Sequence, residues 1–399
     1  MIKTLSKSFN KDPRILLLSQ REVRHHYSNC SYYEFEDLIG KVDAVDFVNA
    51  QINPTNAASR ISQLAKGVLK LNAEASSRAN YRLAEYTTRL GKLASSIVPN
   101  VKQYVVDQEY ELFFVVFANP LVIGSLDSIQ GFRNNCQKAV CYLVEAWETQ
   151  VRDFKSLLEP LKQFDHIFVG VHHIVEIVAE ITGRPCTYLP LGVDAASFCP
   201  YPHLPHRSID VYSLGRRCSA VTHQALLEMA EHNQFFYYYD TVKGSQYFNW
   251  QEHRRLVTNL AKRSRYFIAN SANINTAYKT KGKAEIGGRF FEGAASGAVM
   301  IGDHPNTEVF KEYFDWPDAV IHVPFEAPNI ADVIADLDAQ PERLERIRKD
   351  NVSNSLRRND WVYRWKTILE SVGAQPTTEM QSREAYLQSL AKDKVESLG

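Results

Sequence analysis

Short, almost wholly apolar runs recur along the chain, each followed by a polar stretch with helical spacing. Residues 15–18 (I-L-L-L) are bounded by Pro13 and polar residues, which fits a strand buried on both faces of a parallel sheet. Residues 42–48 (V-D-A-V-D-F-V) alternate apolar and acidic positions and predict a second strand; 111–117 (E-L-F-F-V-V-F) and 138–147 (K-A-V-C-Y-L-V-E-A-W) predict two more. Between them, 57–97 is free of proline and rich in Ala, Leu, Ser and Arg, which predicts one long helix or two shorter ones stopped at Pro99. A polar helix is expected over 148–163, a short strand over 165–170, and a helix opening at His172 and His173. Strands alternating with helices predict a doubly wound α/β architecture.

The prolines of 200–206 (P-Y-P-H-L-P-H) predict an interdomain linker, after which the alternation resumes. Strands are expected over 209–214, 235–239, 266–269 and 319–323, and helices over 222–231, 250–264, 328–337, 341–356 and 361–372. The 250–264 helix is basic and amphipathic, with His253, Arg254, Arg255, Lys262 and Arg263; such charges are ordinarily solvated, with an anionic acceptor or a membrane surface as the functional alternative. Residues 374–399 read as a marginal helix or polar tail. The expected domains are therefore 1–200, 201–372 and a C-terminal extension over 373–399.

The chemistry concentrates in 285–303 (E-I-G-G-R-F-F-E-G-A-A-S-G-A-V-M-I-G-D), where Gly287 and Gly288 precede a helical spacing of Phe290, Phe291, Ala294 and Ala295, and Gly297 closes it. A helix that starts at a glycine pair offers backbone N–H groups and the positive end of its dipole, with no side chain to keep a phosphate away. Glu292, a turn further in, suits sugar or ribose hydroxyls beside that phosphate. The polar loop after the first strand, with Arg21, Arg24, His25, His26, Tyr32 and Tyr33, is placed to line a cleft, and Glu145 ends a strand where a carboxylate can position an acceptor hydroxyl or act as a base.

The core F-F-E-G-A-A-S-G-A-V-M-I resembles the nucleotide-sugar signature of the group 1 glycosyltransferases, the E-x7-E family with the GT-B fold of two Rossmann-like domains whose parallel sheets face a central cleft. Pro190-Leu191-Gly192-Val193-Asp194 with Phe198 and Pro200 is similar to that family's hinge phrase, and Gly215-Arg216-Arg217 to the "G-R" after the first strand of its second domain. The resemblance implies donor contacts from Gly215, Arg216 and Arg217, and from Gly287, Gly288, Arg289, Phe291 and Glu292, the last as the family's second glutamate. The first glutamate departs from the pattern: Glu285 lies seven positions before Glu292, and Ala284 fills the eighth. The lysine usual after the G-R is missing between Arg217 and Lys243, leaving Arg217, His223 or Arg289 as substitutes. Catalytic roles are expected for Glu145, Arg216 and Glu285, with His25, His26 and Glu145 on the acceptor side. Arg216 and the helix opening at Gly288 would stabilise charge on a leaving diphosphate.

Composition narrows the partners. Of 399 residues, Lys+Arg and Asp+Glu are 46 each, so no net field draws the chain to nucleic acid. The six cysteines form no C-x-x-C pair and have no histidine at zinc-finger spacing, as in a cytoplasmic protein with reduced thiols, and no metal is expected. The start M-I-K-T-L-S-K lacks a signal-peptide run, and no stretch reaches the ~18 apolar residues of a membrane span. An NAD-dependent dehydrogenase needs a G-x-G-x-x-G after an early strand, which is absent. The resemblance implies a glycosyltransferase, retention of configuration, and no cofactor beyond its nucleoside-diphosphate-sugar donor. The acceptor is a carbohydrate, a small molecule or a lipid-linked sugar, the last bringing peripheral contact with the inner face of a membrane. Its rivals are an inverting transferase, a GT-B sugar-nucleotide epimerase and a binding protein that kept the fold without turnover; oligomeric state has no signature in the sequence.

Overall fold

The computed structural model describes residues 12–22, 29–50, 103–153, 155–215, 218–240 and 249–395. The helical stretch expected over 57–97 lies outside these described residues, as do Arg24, His25, His26, Arg216 and Arg217.

The described strands in chain order are β1 (Ile15–Ser19), β2 (Val45–Asn49), β3 (Tyr104–Val105), β4 (Tyr110–Phe117), β5 (Ile129–Gln130), β6 (Cys136–Leu143), β7 (His166–Val169), β8 (Cys186–Tyr188), β9 (Ile209–Ser213), β10 (Tyr237–Tyr239), β11 (Ser264–Ile268), β12 (Val299–Gly302) and β13 (Ile321–His322). They build a six-stranded sheet ordered β2-β1-β4-β6-β7-β8 and a five-stranded sheet ordered β10-β9-β11-β12-β13, with β3 and β5 paired apart. The pairings are parallel. Each large sheet grows in both directions from its first strand, so each has a switch point, beside β1 in one and β9 in the other; ligands bind outside the carboxyl ends of strands at such points.

A parallel sheet is covered on both faces, which is why its strands read as continuous apolar runs. Ile15, Leu16, Leu17 and Leu18 are all fully buried. Ile15 and Leu17 join a core that continues into the second half through Phe290, Met300 and Trp361, whereas Leu16 and Leu18 face a separate core with Phe113 and Trp147. The alternation of successive side chains across a strand produces this division.

Several boundaries shift for local reasons. Helix Cys30–Val42 keeps Val42, with the Asp43 N–H bonded to the Ile39 carbonyl, so β2 begins at Val45 instead of 42. β6 stops at Leu143, and Glu145 and Trp147 turn into the cleft. The expected 148–163 helix is α-helical over the described residues Glu148–Asp153 and Lys155–Leu158, and its end, Glu159–Gln163, is a 3-10 turn that carries Pro160 in its first turn. Thr307 caps helix Glu308–Tyr313 by accepting from the Phe310 N–H, and Pro305 lies just before this cap.

The last two described α-helices tie the halves together. Helix Trp361–Ser371 returns to the first half, where Trp361 stacks on Phe35 at 4.7 Å and Trp365 meets Phe114 at 5.1 Å. Of the marginal helix or polar tail expected here, the structure has a docked helix, Thr378–Leu390, with Met380 and Leu387 fully buried. Scattered leucines suffice because its arginine is consumed: Arg383 donates to Asp360 at 2.7 and 2.9 Å and to Asp194 at 2.8 Å, and Asp360 is wholly buried. Removing one partner of such a cluster leaves a buried carboxylate uncompensated, at a cost of about 3 kcal/mol. Arg383→Ala should lower the urea midpoint accordingly; an unchanged midpoint would mean that the last helix contributes nothing to the fold.

Candidate active site

A cavity of about 260 Å³ lies between the two halves, walled by residues that follow β6 and β7 on one side and β9, β11 and β13 on the other. It therefore sits at the carboxyl ends of both sheets. Helix Gly288–Ala295 opens onto it: Gly287, Gly288 and Arg289 all line the wall, and Gly287 supplies no side-chain cap to the first turn. A Cβ on Gly288 would come within 3.2 Å of Leu191, so the glycine lets the helix begin directly against the Pro190-Leu191 hinge. Gly215 follows β9 with φ +81°, its N–H held by Asp240 at 2.8 Å, and a Cβ there would stand 3.2 Å from an Arg289 Nη. The Arg289 guanidinium thus hangs over the end of β9, next to the positions of Arg216 and Arg217 in the chain.

Behind this opening is a chain of buried charges. Glu292, 3% exposed, accepts from Arg289 through one carboxylate oxygen and from Arg254 through the other. Arg254, in helix Trp250–Lys262, also makes a two-pronged contact with Glu34 of the first half, 3.0 Å on each arm. Glu34 further accepts from the Trp361 indole at 3.0 Å and the Asp194 N–H at 3.1 Å. Burial pushes the Glu292 carboxyl up, but the Arg289 and Arg254 guanidiniums together outweigh it and hold it below the usual carboxylate range. For Glu34 burial outweighs Arg254, and its carboxyl is raised.

Several expected roles change. Phe291 is fully buried against Phe314 and Tyr313 and is not among the residues that line the cavity. Glu285 lines the cavity, but its carboxylate is occupied by the first half: the His172 N–H at 3.0 Å, the His173 N–H at 3.2 Å and His173 Nδ1 at 2.5 Å. Glu285, expected as a catalytic residue, thus bridges the two halves. Glu145 does reach the cavity wall, with Asn273 Nδ2 at 3.2 Å and Lys279 Nζ at 2.8 Å on the same oxygen. Arg254 and Glu34, by contrast, were not singled out as site residues. Arg254 shares one helix face with Trp250, Val257, Thr258 and Ala261, all buried, and that spacing was the available sign that this arginine points inward. Among the described residues no group of three or more His, Cys, Asp or Glu is placed to hold a metal ion, and no helix is long and apolar enough to cross a membrane.

Residues 216–370, less than half of the chain, match a family model described as "Glycosyl transferase-like". No curated protein matches the chain. Among solved structures, an alpha-glucosyltransferase in complex with UDP and a 13-mer DNA is 11% identical with a TM-score of 0.50, covering 90% of this chain and 99% of that one. An alpha,alpha-trehalose-phosphate synthase from Burkholderia vietnamiensis (10% identity, 93% and 98% covered, TM-score 0.49) and a glycosyltransferase from Rickettsia africae ESF-5 (12%, 91% and 98%, 0.45) are looser likenesses.

His253 gives the site's charge balance a pH signature. Burial, then Arg254 and Arg289, lower its imidazole from the ordinary 6.5 to about 4. The unfolded chain therefore binds a proton that the folded protein refuses in this window, and stability is lost as pH falls from about 6.5 to about 4. The melting temperature of His253→Gln should fall less than that of the wild type across the window, and parallel curves would contradict the assignment. The architecture is GT-B, and residues 216–370 match the model of a glycosyl transferase-like family.

Proposed function

We propose that the protein transfers a sugar from a nucleoside-diphosphate sugar to an acceptor hydroxyl, with retention of configuration and without a metal. The observation that carries this reading is the opening of helix Gly288–Ala295 into the interdomain cavity with Arg289 at its mouth. Backbone N–H groups, a helix dipole and a guanidinium converge there, and together they suit a diphosphate. Arg289 is proposed to take the part of the missing lysine, with Arg216 as its companion from the sequence. As the bond between the anomeric carbon and the diphosphate oxygen breaks, these groups take up the charge that grows on the leaving group. The acceptor oxygen bonds to the anomeric carbon, and its proton leaves with the diphosphate. Retention is supported by the resemblance of 285–303 to the group 1 signature.

Glu292 keeps its charge when Arg289 turns to a phosphate, because Arg254 still pairs with it. That leaves the Glu292 oxygen facing Arg289 able to accept from a ribose hydroxyl. Glu145, at the wall of the first half, is proposed on the acceptor side with His25 and His26. A cytoplasmic setting fits six cysteines that are all free thiols, and a lipid-linked acceptor would bring the protein to the inner face of a membrane. A second reading, a sugar-nucleotide binder without turnover, is favoured by the occupied carboxylate of Glu285.

Thermal stabilisation by a panel of nucleoside diphosphates and their sugars, with and without a chelator, tests the proposal. UDP, the nucleotide in the solved alpha-glucosyltransferase, is the first to try. At a hundredfold excess over its dissociation constant a ligand adds about 2.7 kcal/mol of stability. The expected result is a chelator-insensitive shift for one base, and no shift with any nucleotide would refute the donor site. Arg289→Ala should weaken the responding nucleotide about 10- to 100-fold, the worth of a charge-assisted phosphate contact. Release of free sugar or transfer product from the bound donor separates the enzyme from the binder.

A further inference from the structure

The segment 270–286 leaves the end of β11, crosses the cleft and returns to open helix Gly288–Ala295. Its cavity side includes Asn270, Asn273 and Asn275. Along the same segment, side chains grip the first half at three places. Asn273 and Lys279 hold Glu145, with Lys279 Nζ also 5.7 Å from the centre of the Trp147 ring. Lys281 and Lys283 reach the two oxygens of Glu148 at 3.2 and 3.6 Å. Glu285 holds the His172–His173 turn through two backbone N–H groups and the His173 ring.

The gripped residues border the cavity. Glu145 and Trp147 line it directly, and Gly170 and Val171 line it immediately before the His172–His173 turn. The wall contributed by the first half is therefore set by a strap from the second half. The contacts are graded along the strap: the Glu285–His173 end is buried, with side chains 6% and 11% exposed, whereas Lys281 and Lys283 are each 48% exposed. Wet ion pairs of the latter kind contribute little, whereas a buried carboxylate with three donors is costly to undo.

We propose that Glu285 and Lys279 are positioning residues: the strap assembles the acceptor-facing wall of the cavity, and Glu285 acts through the His172–His173 turn without touching the donor. The inference rests on the donor site proposed above and assigns the opposite side of the same cleft. The lysine-rich end loosens first and admits ligands, and the Glu285 end keeps the wall in register with the phosphate seat. Loosening the wall lets water reach the anomeric carbon, so a defective strap favours hydrolysis of the donor.

Amide hydrogen exchange and donor kinetics of Glu285→Gln test this, with Lys279→Ala as a second variant at the wetter end. The His172 and His173 amides should exchange at least tenfold faster in Glu285→Gln, with helix Gly288–Ala295 unchanged. Residues 145–148 should respond in Lys279→Ala. With UDP-glucose as donor and water as acceptor, KM should stay within twofold and kcat for hydrolysis should rise several-fold in both variants. Unchanged exchange would overturn the strap, and a parallel loss of UDP-glucose affinity in Glu285→Gln would overturn it in favour of a direct donor contact. If the wild type neither binds nor hydrolyses UDP-glucose, it is the donor choice that fails, and the exchange measurement still decides whether the strap positions the wall.

Discussion

The contact on which the rest of the molecule depends is the buried chain Glu34–Arg254–Glu292–Arg289, two carboxylates and two guanidiniums with no net charge. Taking any one of these groups out of water is costly unless its partners are in place, so the chain tolerates one arrangement of the two halves and penalises others by several kcal/mol. Its stabilising value over an apolar core is modest by the same reasoning; its effect is to fix geometry. Glu34 gathers the Asp194 N–H of the hinge and the Trp361 indole of the returning helix, while Glu292 fixes the helix whose first turn faces the cavity. Hinge, crossover and the proposed phosphate seat are thus referred to one buried point.

The cleft follows from the sheets. Parallel strands deliver their following loops to one edge, and when two such sheets face each other the loops of both meet there. One side of the cleft then carries a glycine-opened helix and an arginine, suited to an anion, and the other carries Glu145 and Trp147. The strap closes the gap with lysines against glutamates, a pairing that sets position more than it adds stability.

The strands were legible because burial on both faces leaves no polar position to blur them: the run of β1 and the F-F-V-V-F of β4 can be little else. The glycine-started helix was legible for a similar reason, since paired glycines followed by helical spacing have few other uses. Side chains whose role depends on a partner distant in sequence were not. Glu285 looks like a free carboxylate until the turn 112 and 113 residues away is brought to it. The charge of Arg254 suggested solvent, and only its place on the apolar face of its helix hinted otherwise. Phe291 was drawn into the site by a motif, although helical periodicity points it to the core. The last helix read as a marginal helix or a tail because its hold on the fold runs through Arg383 and two aspartates, which no local pattern reveals.

The most direct test of this account is the dissociation constant of UDP, measured by titration calorimetry for the wild type and for Glu34→Gln. Glu34 lies in the other half of the protein and is not part of the cavity wall, and its ion-paired route to the cavity runs through Arg254, Glu292 and Arg289. The account predicts saturable binding by the wild type and an affinity at least tenfold weaker in a folded Glu34→Gln. Equal affinities would contradict the claim that the buried charge chain sets the phosphate seat, and no binding by either protein would contradict the seat itself.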